Sequence, residues 1–164
     1  GKPGPIDYRR TIATATGLVE CQGSAHVRRV IEPTGTPAAT RMAVELQFDW
    51  PFLRELPQVV LGSSSAHSID TGGTAPIADM VLTFAGDGTL TDSLGQQIGV
   101  TGSTGPVVVD VGKREVTQGG DLAMGLLDTS LAGFRDWWME WPARTAVTLT
   151  STVGVAVSFY RARH

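Results

Sequence analysis

Hydrophobic and polar residues alternate with a period of two along much of this chain. The clearest case is TAVTLTSTVGVAVSFYRAR, in which one face carries Val147, Leu149, Val153, Val155, Val157 and Phe159. The opposite face is made mostly of Thr, Ser, Gly and Ala. Alternation of this kind, rich in β-branched residues, predicts a long half-buried strand with a bend at Gly154.

A second long strand is predicted over RMAVELQFDW, where apolar side chains again occupy every other position. Shorter strands are predicted near Arg10–Glu20, Ala25–Glu32, Ile77–Phe84, Gln96–Thr101, Val107–Val111 and Leu122–Leu127. Turn sequences separate them, among them GDG at Gly86–Gly88 and SLG at Ser93–Gly95. We therefore predict an all-β fold in one domain of residues 1–164, an antiparallel β-barrel or alternatively a β-sandwich.

Three segments depart from the strand pattern. Pro33–Ala39 and Gly62–Pro76 are predicted to be loops, the second one long enough for a lid. One short helix is predicted near residues 130–141, because Asp128 suits an N-cap and Pro142 would end the helix. On that helix an apolar stripe would pack on the sheet and leave Trp137 to one side; it consists of Leu131, Phe134, Trp138 and Trp141.

Charge and cysteine content narrow the classes of partner and compartment. The net charge of −3 provides no basic field, so nucleic acid is not expected as a partner. No apolar run approaches the roughly 18 residues that span a bilayer, so no membrane insertion is expected. Cys21 is alone and the first residues show no signal peptide, which predicts a cytoplasmic protein, although a processed start could hide such a peptide.

The chain lacks the sequence motifs that indicate metal or cofactor chemistry. Its histidines, His26, His67 and His164, are far apart and have no ligand at a metal-binding spacing. The stretch around His67 lacks the G-x-S-x-G elbow of a serine nucleophile. Asp87 lies in an incomplete calcium-loop pattern, and a hairpin turn at Asp87 is the favoured interpretation. We expect no metal and no cofactor.

One kind of catalysis needs none of these groups. The protein folds a reactive substrate into one productive shape, and rigid aromatic walls are suited to that task. The candidate ligand-pocket residues are Trp50, Trp137, Trp138, Trp141 and Met139 as walls, with Tyr160 and Glu45 as hydrogen-bonding groups. Each has a structural alternative: the apolar residues as core, Tyr160 on a strand surface, and Glu45 on a solvent face rather than paired with Arg41 inside a lumen.

One stretch resembles a known family. FAGDGTLTDSLGQQIGVTG is similar to the strand–turn–strand signature of allene-oxide-cyclase-like β-barrels, through Leu90, Asp92, Gly95, Ile98, Gly99 and Gly102. That group includes small barrels that act as cyclases in bacterial spirotetronate and polyether biosynthesis. Thr91 stands where the family commonly has Tyr. The resemblance implies a closed barrel whose apolar lumen binds a polyketide-like substrate, and no catalytic residue can be carried over from it.

Three functions follow as hypotheses. The leading one is a β-barrel that binds an apolar, polyketide-like small molecule, with the further step of a cofactor-independent cyclase or isomerase of pericyclic type in natural-product biosynthesis. The alternative is a non-catalytic β-sandwich that acts as a structural or assembly module in a homo-oligomer, with an edge of the long final strand pairing with a neighbouring subunit. A third is an acid–base isomerase or lyase that uses His26 or His67.

Overall fold

A computed structural model describes residues 5–14, 17–36, 39–48, 53–56, 58–135, 137 and 139–163 of the chain. In these residues the protein is all β, with antiparallel pairing and a single 3-10 turn. The predicted all-β antiparallel fold is therefore confirmed. The chain, expected to be one domain, divides into two compact units: Gly1–Leu56 with Arg163–His164, and Pro57–Ala162.

Thirteen strands are described in chain order. They are β1 (Ile6–Thr14), β2 (Gly17–Thr36), β3 (Ala39–Phe48), β4 (Leu53–Glu55), β5 (Val59–Asp70), β6 (Val81–Phe84), β7 (Gly88–Asp92), β8 (Gln97–Val100), β9 (Val107–Asp110), β10 (Glu115–Gln118), β11 (Asp121–Leu122), β12 (Ala146–Phe159) and β13 (Ala162–Arg163). The 3-10 turn spans Met124–Leu126, between β11 and β12.

The first unit is a sheet built around the long strand β2. β1 pairs with the first part of β2, from Gly17 to Ala25, and β3 pairs with β2 from Ala25 to Thr36. β4 pairs with β2 along the edge opposite β1, and β13 lies next to β4 in the sheet. There the guanidinium of Arg163 donates to the Glu55 carboxylate at 2.7 Å in a largely buried ion pair.

The second unit is a sheet curled as half of a barrel, in the order β11-β10-β9-β6-β12-β7-β8. β12 lies inside this sheet, because β5 pairs along one side of it while β6 and β7 share the other side. The predicted long final strand is confirmed. The expectation that this strand offers a free edge is wrong, since both of its edges are taken.

The strands of the second unit bend at one common level. β6 and β7 both run antiparallel to β12, but the register changes from Val155↔Phe84 to Leu149↔Asp92. The intervening residues 85–87 thus form a bend, and the chain continues in the same direction on both sides of it. The hairpin turn expected at Asp87 is wrong, because glycine-rich turn residues serve equally well to make a bulge at a sheet corner.

The neighbouring strands bend at the same place. β8 pairs with β7 and β9 with β6, so the chain between Val100 and Val107 crosses the same corner. The pairing of β5 with β12 also shifts register between Thr150 and Val155, in the region where the sequence predicted a bend near Gly154. These shifts divide the curled sheet into two halves, one on each side of that level.

The core of the second unit is made by the inward faces of both halves. Its largest fully buried side chains are Trp141, Phe84, Phe159, Ile77, Met80, Leu82, Leu90, Ile98 and Leu149. The alternation predicted for β12 is confirmed, with Val147, Leu149, Val155, Val157 and Phe159 buried and Val153 partly buried. β-branched and aromatic residues at every second position therefore set which face of each strand points inward.

Several predicted boundaries are wrong. The Gly62–Pro76 loop is strand β5 as far as Asp70, because its Ser-rich sequence pairs with β12 in spite of its low strand propensity. The strand expected over Arg10–Glu20 is instead parts of two antiparallel strands, β1 and β2, in which Thr14 lies opposite Gly17. The strand expected near Leu122–Leu127 is the two-residue β11 followed by the 3-10 turn.

The helix predicted near residues 130–141 is absent from the described residues of that segment. Trp137 has φ +68°, a left-handed conformation that cannot occur inside a right-handed helix. Trp141 instead exchanges two backbone hydrogen bonds with Ile77, each 2.9 Å long. The apolar residues whose spacing predicted a helix lie instead in an irregular segment. The described aromatic residues of that segment pack at different places.

Candidate functional site

The segment from Gly133 to Trp141 is fastened to the hairpin between β7 and β8 by a glutamine side chain. The Gln96 amide donates to the backbone oxygen of Glu140 at 3.0 Å and accepts from the backbone N–H of Glu140 at 2.9 Å. This side-chain amide therefore replaces the pair of hydrogen bonds that a neighbouring strand would make. Backbone groups that a helix would satisfy internally are paired here across the structure.

Asp92 holds this glutamine in place. Its carboxylate accepts from the Gln96 side-chain amide at 2.6 Å and from the backbone N–H groups of Leu94 and Gln96 at 2.9 and 2.8 Å. The aspartate is 5% exposed, so three donors compensate the loss of water around its carboxylate. In the sequence Asp92 stands out only as part of a turn motif, and no pattern there indicates its partner Gln96.

The next residue, Gln97, fixes the other end of the segment. Its side-chain oxygen accepts from the backbone N–H of Gly133 at 3.1 Å, and its backbone N–H donates to the Gly133 oxygen at 3.0 Å. A Cβ at Gly133 would lie 2.5 Å from the backbone oxygen of Gly95. Glycine is therefore required at position 133. The consecutive glutamines after a turn were the available sequence signal.

Two of the predicted pocket residues belong to the core. Trp141 is 0% exposed and meets Phe159 edge to face, with ring centroids 5.6 Å apart. The indole N–H of Trp141 is buried without a hydrogen-bond partner. Met139 is 3% exposed and packs in the same cluster. Both side chains therefore lie in the core, which is the structural alternative to a ligand pocket.

Trp137 is placed differently from Trp141. Its indole is partly buried against the core and makes an edge contact with Phe134 at a centroid distance of 6.5 Å. Its positive φ is a strained conformation for a residue with a bulky side chain and costs on the order of 1–3 kcal/mol. The surrounding hydrogen bonds from Gln96 and Gln97 hold the backbone on either side of it.

A shallow groove lies beside this tryptophan. Its lining residues are Gln97, Ile98, Phe134, Arg135, Trp137 and Met139. The space open to the centre of a water molecule is about 10 Å³, which is room for about one water. Sites for drug-sized ligands enclose roughly 300–1,000 Å³. The groove thus brings together two of the predicted wall residues, Trp137 and Met139, without a cavity for a polyketide-sized molecule.

The other predicted site residues are not gathered at this groove. Tyr160 follows β12 and is partly buried. Glu45 belongs to the first unit, where its exposed carboxylate pairs with Arg28 at 3.2 Å. This is the solvent-face alternative rather than an enclosed pair with Arg41. Trp50 and Trp138 lie outside the described residues.

His67 has a structural partner. Its Nε2 lies 2.7 Å from the backbone oxygen of Val155. That oxygen is in the part of β12 where the register with β5 shifts, so the ring occupies a place that the strand ladder leaves open. The contact gives this histidine, in the middle of a Ser-rich strand, a structural role.

Asp87 joins two strands at the corner of the folded sheet. Its carboxylate accepts from the backbone N–H groups of Gly102 and Ser103 at 2.8 and 2.7 Å, and from the Ser103 hydroxyl. These hydrogen bonds, led by the one from the hydroxyl, hold the pKa of Asp87 below its usual value. Asp128 shows the same arrangement, with the Ser130 hydroxyl and N–H lowering the pKa of its carboxyl.

Cys21 is a buried thiol of the first unit. Burial raises its pKa, while the nearby Arg163 guanidinium acts in the opposite direction. A raised pKa keeps the thiol protonated and unreactive near neutral pH. Cys21 is thus a core residue of the β2 strand rather than a nucleophile.

Neither a metal centre nor a membrane-spanning helix is found in the part of the chain that the structure describes. No three His, Cys, Asp or Glu side chains among those residues are grouped so that they could hold a metal ion. No helix there is long and apolar enough to cross a bilayer.

Among the comparisons with known proteins, the one with solved structures finds a match. Neither a protein-family model nor a curated protein matches this chain. Among solved structures, the chain is similar to the SPP1 Dit (gp 19.1) protein, described as a paradigm of hub adsorption apparatus in Gram-positive infecting phages. The TM-score is 0.71 at 10% sequence identity, over 99% of this chain and 66% of that protein, slightly less than two thirds of its length. At this identity the likeness shows a shared fold.

Proposed function

We propose that this chain is a non-catalytic β-structured module whose function is to assemble with other copies of itself into a larger particle. The observation that carries the proposal is the fold shared, over 99% of the chain, with a protein described as a hub of a phage adsorption apparatus. A hub protein acts by holding other subunits in place, and such a role needs surfaces and rigidity rather than reactive groups.

The packing of the second unit supports the same proposal. Trp141 and Met139, which would have to line a ligand pocket, are core side chains instead. The groove beside Trp137 has room for about one water molecule. Asp92 and His67, which are polar residues of a kind often found in active sites, are already bonded to backbone or side-chain groups of their own unit.

The test is the mass of the purified protein in solution. We expect size-exclusion chromatography with light scattering, and native mass spectrometry, to give a defined homo-oligomer with no retained small molecule. Negative-stain images should then show particles of one size. A protein that stays monomeric at about 100 μM, well above the micromolar affinities typical of weak specific complexes, would overturn the proposal.

The binding of an apolar small molecule stays a prediction, and so does the resemblance to allene-oxide-cyclase-like barrels. The contact of Trp137 with the groove is the feature that favours it. Titration of polyketide-like compounds, followed by tryptophan fluorescence, tests it directly. Saturable quenching that disappears in Trp137→Ala, but not in Met124→Ala on a different surface, would establish a ligand site and restore the enzyme hypothesis.

A further inference from the structure

Strand β5 has one free edge. The strand is twelve residues long, Val59–Asp70, and pairs with β12 on one side only. On the other side no described strand pairs with it. Most of its residues are exposed, and Val60 retains 68% of its accessible surface. At about 3.3 Å per residue, this edge presents unpaired backbone over roughly 40 Å.

The pairing with β12 identifies which backbone groups of β5 point outward. Thr71 donates its N–H to Thr145 across the continuation of the ladder, at 3.1 Å. In an antiparallel ladder, successive residues direct their N–H and C=O groups to opposite sides. The amides of Ser68 and Asp70 therefore face away from β12, and that of Ile69 faces it.

The same alternation applies beyond the bend. Gly154 directs its backbone oxygen at Ala85 in the β6 side of the sheet, at 2.9 Å. Val157 and Phe159 are three and five residues after Gly154, so their backbone groups point to the other side, toward β5. There they lie opposite Leu61 and Val59. Val60 lies between these two, so its N–H and C=O point to the free edge.

Other edges of the second unit are protected. The outer edge of β8 is covered, because Thr101 donates to Leu126, Asp128 to Gly99 and Gln97 to Gly133. The edge strand β11 is only two residues long. Proteins protect edges in such ways because an open one adds strands from other molecules.

Within β5 two local hydrogen bonds of the Ser64 side chain protect a single residue, Ala66. The Ser64 hydroxyl donates to the Ala66 oxygen at 2.9 Å and accepts from the Ala66 N–H at 3.2 Å. Residues 59–69 contain no Asp, Glu, Lys or Arg, whereas the edge strand β1 carries Asp7, Arg9 and Arg10. A neutral edge does not repel an identical one, so its charge pattern suits a second copy of the same strand.

We infer that β5 pairs antiparallel with β5 of a second copy of this chain, in the register that places Val60 opposite Ser68. Both residues direct their backbone groups to the free edge, so each of the two symmetric pairs forms two hydrogen bonds. The side chains of Val60 and Ser68, both exposed, then lie opposite each other, and the register shifts of β5 fall between these two positions. The inference rests on the proposed assembly function and names the surface through which two copies meet.

Amide hydrogen exchange of the full-length protein, resolved by residue, is the first test. In the oligomer, the outward amides of Val60 and Ser68 should be protected, and dilution to monomer should speed their exchange by at least roughly tenfold. The Ile69 amide, which points to β12, is the internal control and should be protected in both states.

A substitution at the edge is the second test. Val60→Lys places a charged side chain opposite Ser68 of the second copy, as protective lysines do at natural sheet edges, and should raise the dissociation constant at least roughly tenfold. Leu122→Lys is the matched control, because Leu122 has the same 68% exposure and lies on β11. Equal melting temperatures of the two variants would show that both are folded.

The outcomes separate this inference from the proposed function. An oligomer in which Val60 and Ser68 exchange freely, or in which both lysine variants assemble alike, would overturn the β5 interface and leave the assembly function standing. A chain that stays monomeric would overturn both. Protection of Val60 and Ser68 together with selective dissociation of Val60→Lys would establish the interface.

Discussion

Trp137 and Trp141 are four residues apart and have opposite relations to the core. Trp141 is fully buried against Phe159, while Trp137 takes a left-handed backbone conformation and keeps part of its indole at the surface. At the scale of single residues, stability depends on side chains that are completely enclosed and on carboxylates that collect backbone donors. Asp87 and Asp92, in the second unit, each accept hydrogen bonds from two backbone N–H groups.

Truncation of Trp141 tests its place in the core. Trp141→Ala should lower the free energy of unfolding by about 3–5 kcal/mol, because it leaves a cavity next to Phe159. Trp141→Phe should cost less, about 1–2 kcal/mol, since it keeps an aromatic edge contact and removes an indole N–H that is buried without a partner. Urea unfolding measures both values. Equal losses in the two variants would contradict this account.

The pH dependence of stability tests the Asp87 contacts. Its folded pKa is lowered, so the stabilisation is fully present above the usual aspartate pKa and is lost as pH falls through the lower, folded pKa. Asp87→Asn should therefore reduce the melting temperature at neutral pH, and the difference from the parent should shrink below about pH 4. Asp121→Asn, an exposed aspartate of β11, serves as the control. A difference that does not change with pH would contradict the assignment.

At the scale of elements, the hairpin between β7 and β8 acts as the support of the segment that follows Leu131. Asp92 orients Gln96, and Gln96 and Gln97 together bond to Glu140 and Gly133. These contacts keep an aromatic-rich segment in an irregular conformation although its apolar spacing is helical. The segment is stable because its backbone groups are paired with side chains of the hairpin.

Removal of the Gln96 side chain tests this support. Gln96→Ala leaves the Asp92 carboxylate and the Glu140 backbone groups with fewer partners in a partly buried place, so we expect a loss of about 1–3 kcal/mol. The emission of Trp137 should also shift to longer wavelength as the segment loosens. Gln58→Ala, an exposed glutamine before β5, is the control. Unchanged stability and emission would show that the segment is held by other contacts.

At the scale of the whole molecule, the fold of the second unit leaves one long neutral edge, and the proposed assembly uses it. Association through backbone hydrogen bonds and small neutral side chains has a recognisable salt response. Interfaces held by charge pairs weaken as salt screens them, whereas neutral strand pairing does not.

Salt dependence of the oligomer is the corresponding prediction. Between about 0.05 M and about 0.5 M NaCl, a range over which the Debye length falls severalfold, the dissociation constant should change less than about twofold. Analytical ultracentrifugation at matched protein concentrations measures it. A steep loss of assembly with salt would point to the charged edge of β1, with Asp7, Arg9 and Arg10, as the interface.

The sequence by itself determined the all-β class, the long strand β12 and its buried face, because a period of two and β-branched residues act locally. It also supplied the polar residues of the hairpin, although their roles were not visible. Asp92 and Gln96 meet Glu140 only after the sheet folds, so no spacing along the chain predicts that contact.

Only the tertiary structure decided what became of the helix and of the Ser-rich stretch. The residues around Trp137 have helical spacing, but bonds from Gln96 and Gln97 and the bridge from Trp141 to Ile77 satisfy the backbone in another way. Residues of β5 have low strand propensity, yet pairing with β12 orders them as an edge. Local patterns fix which face of a strand is apolar, whereas long-range pairing selects which backbone groups find partners and which remain open.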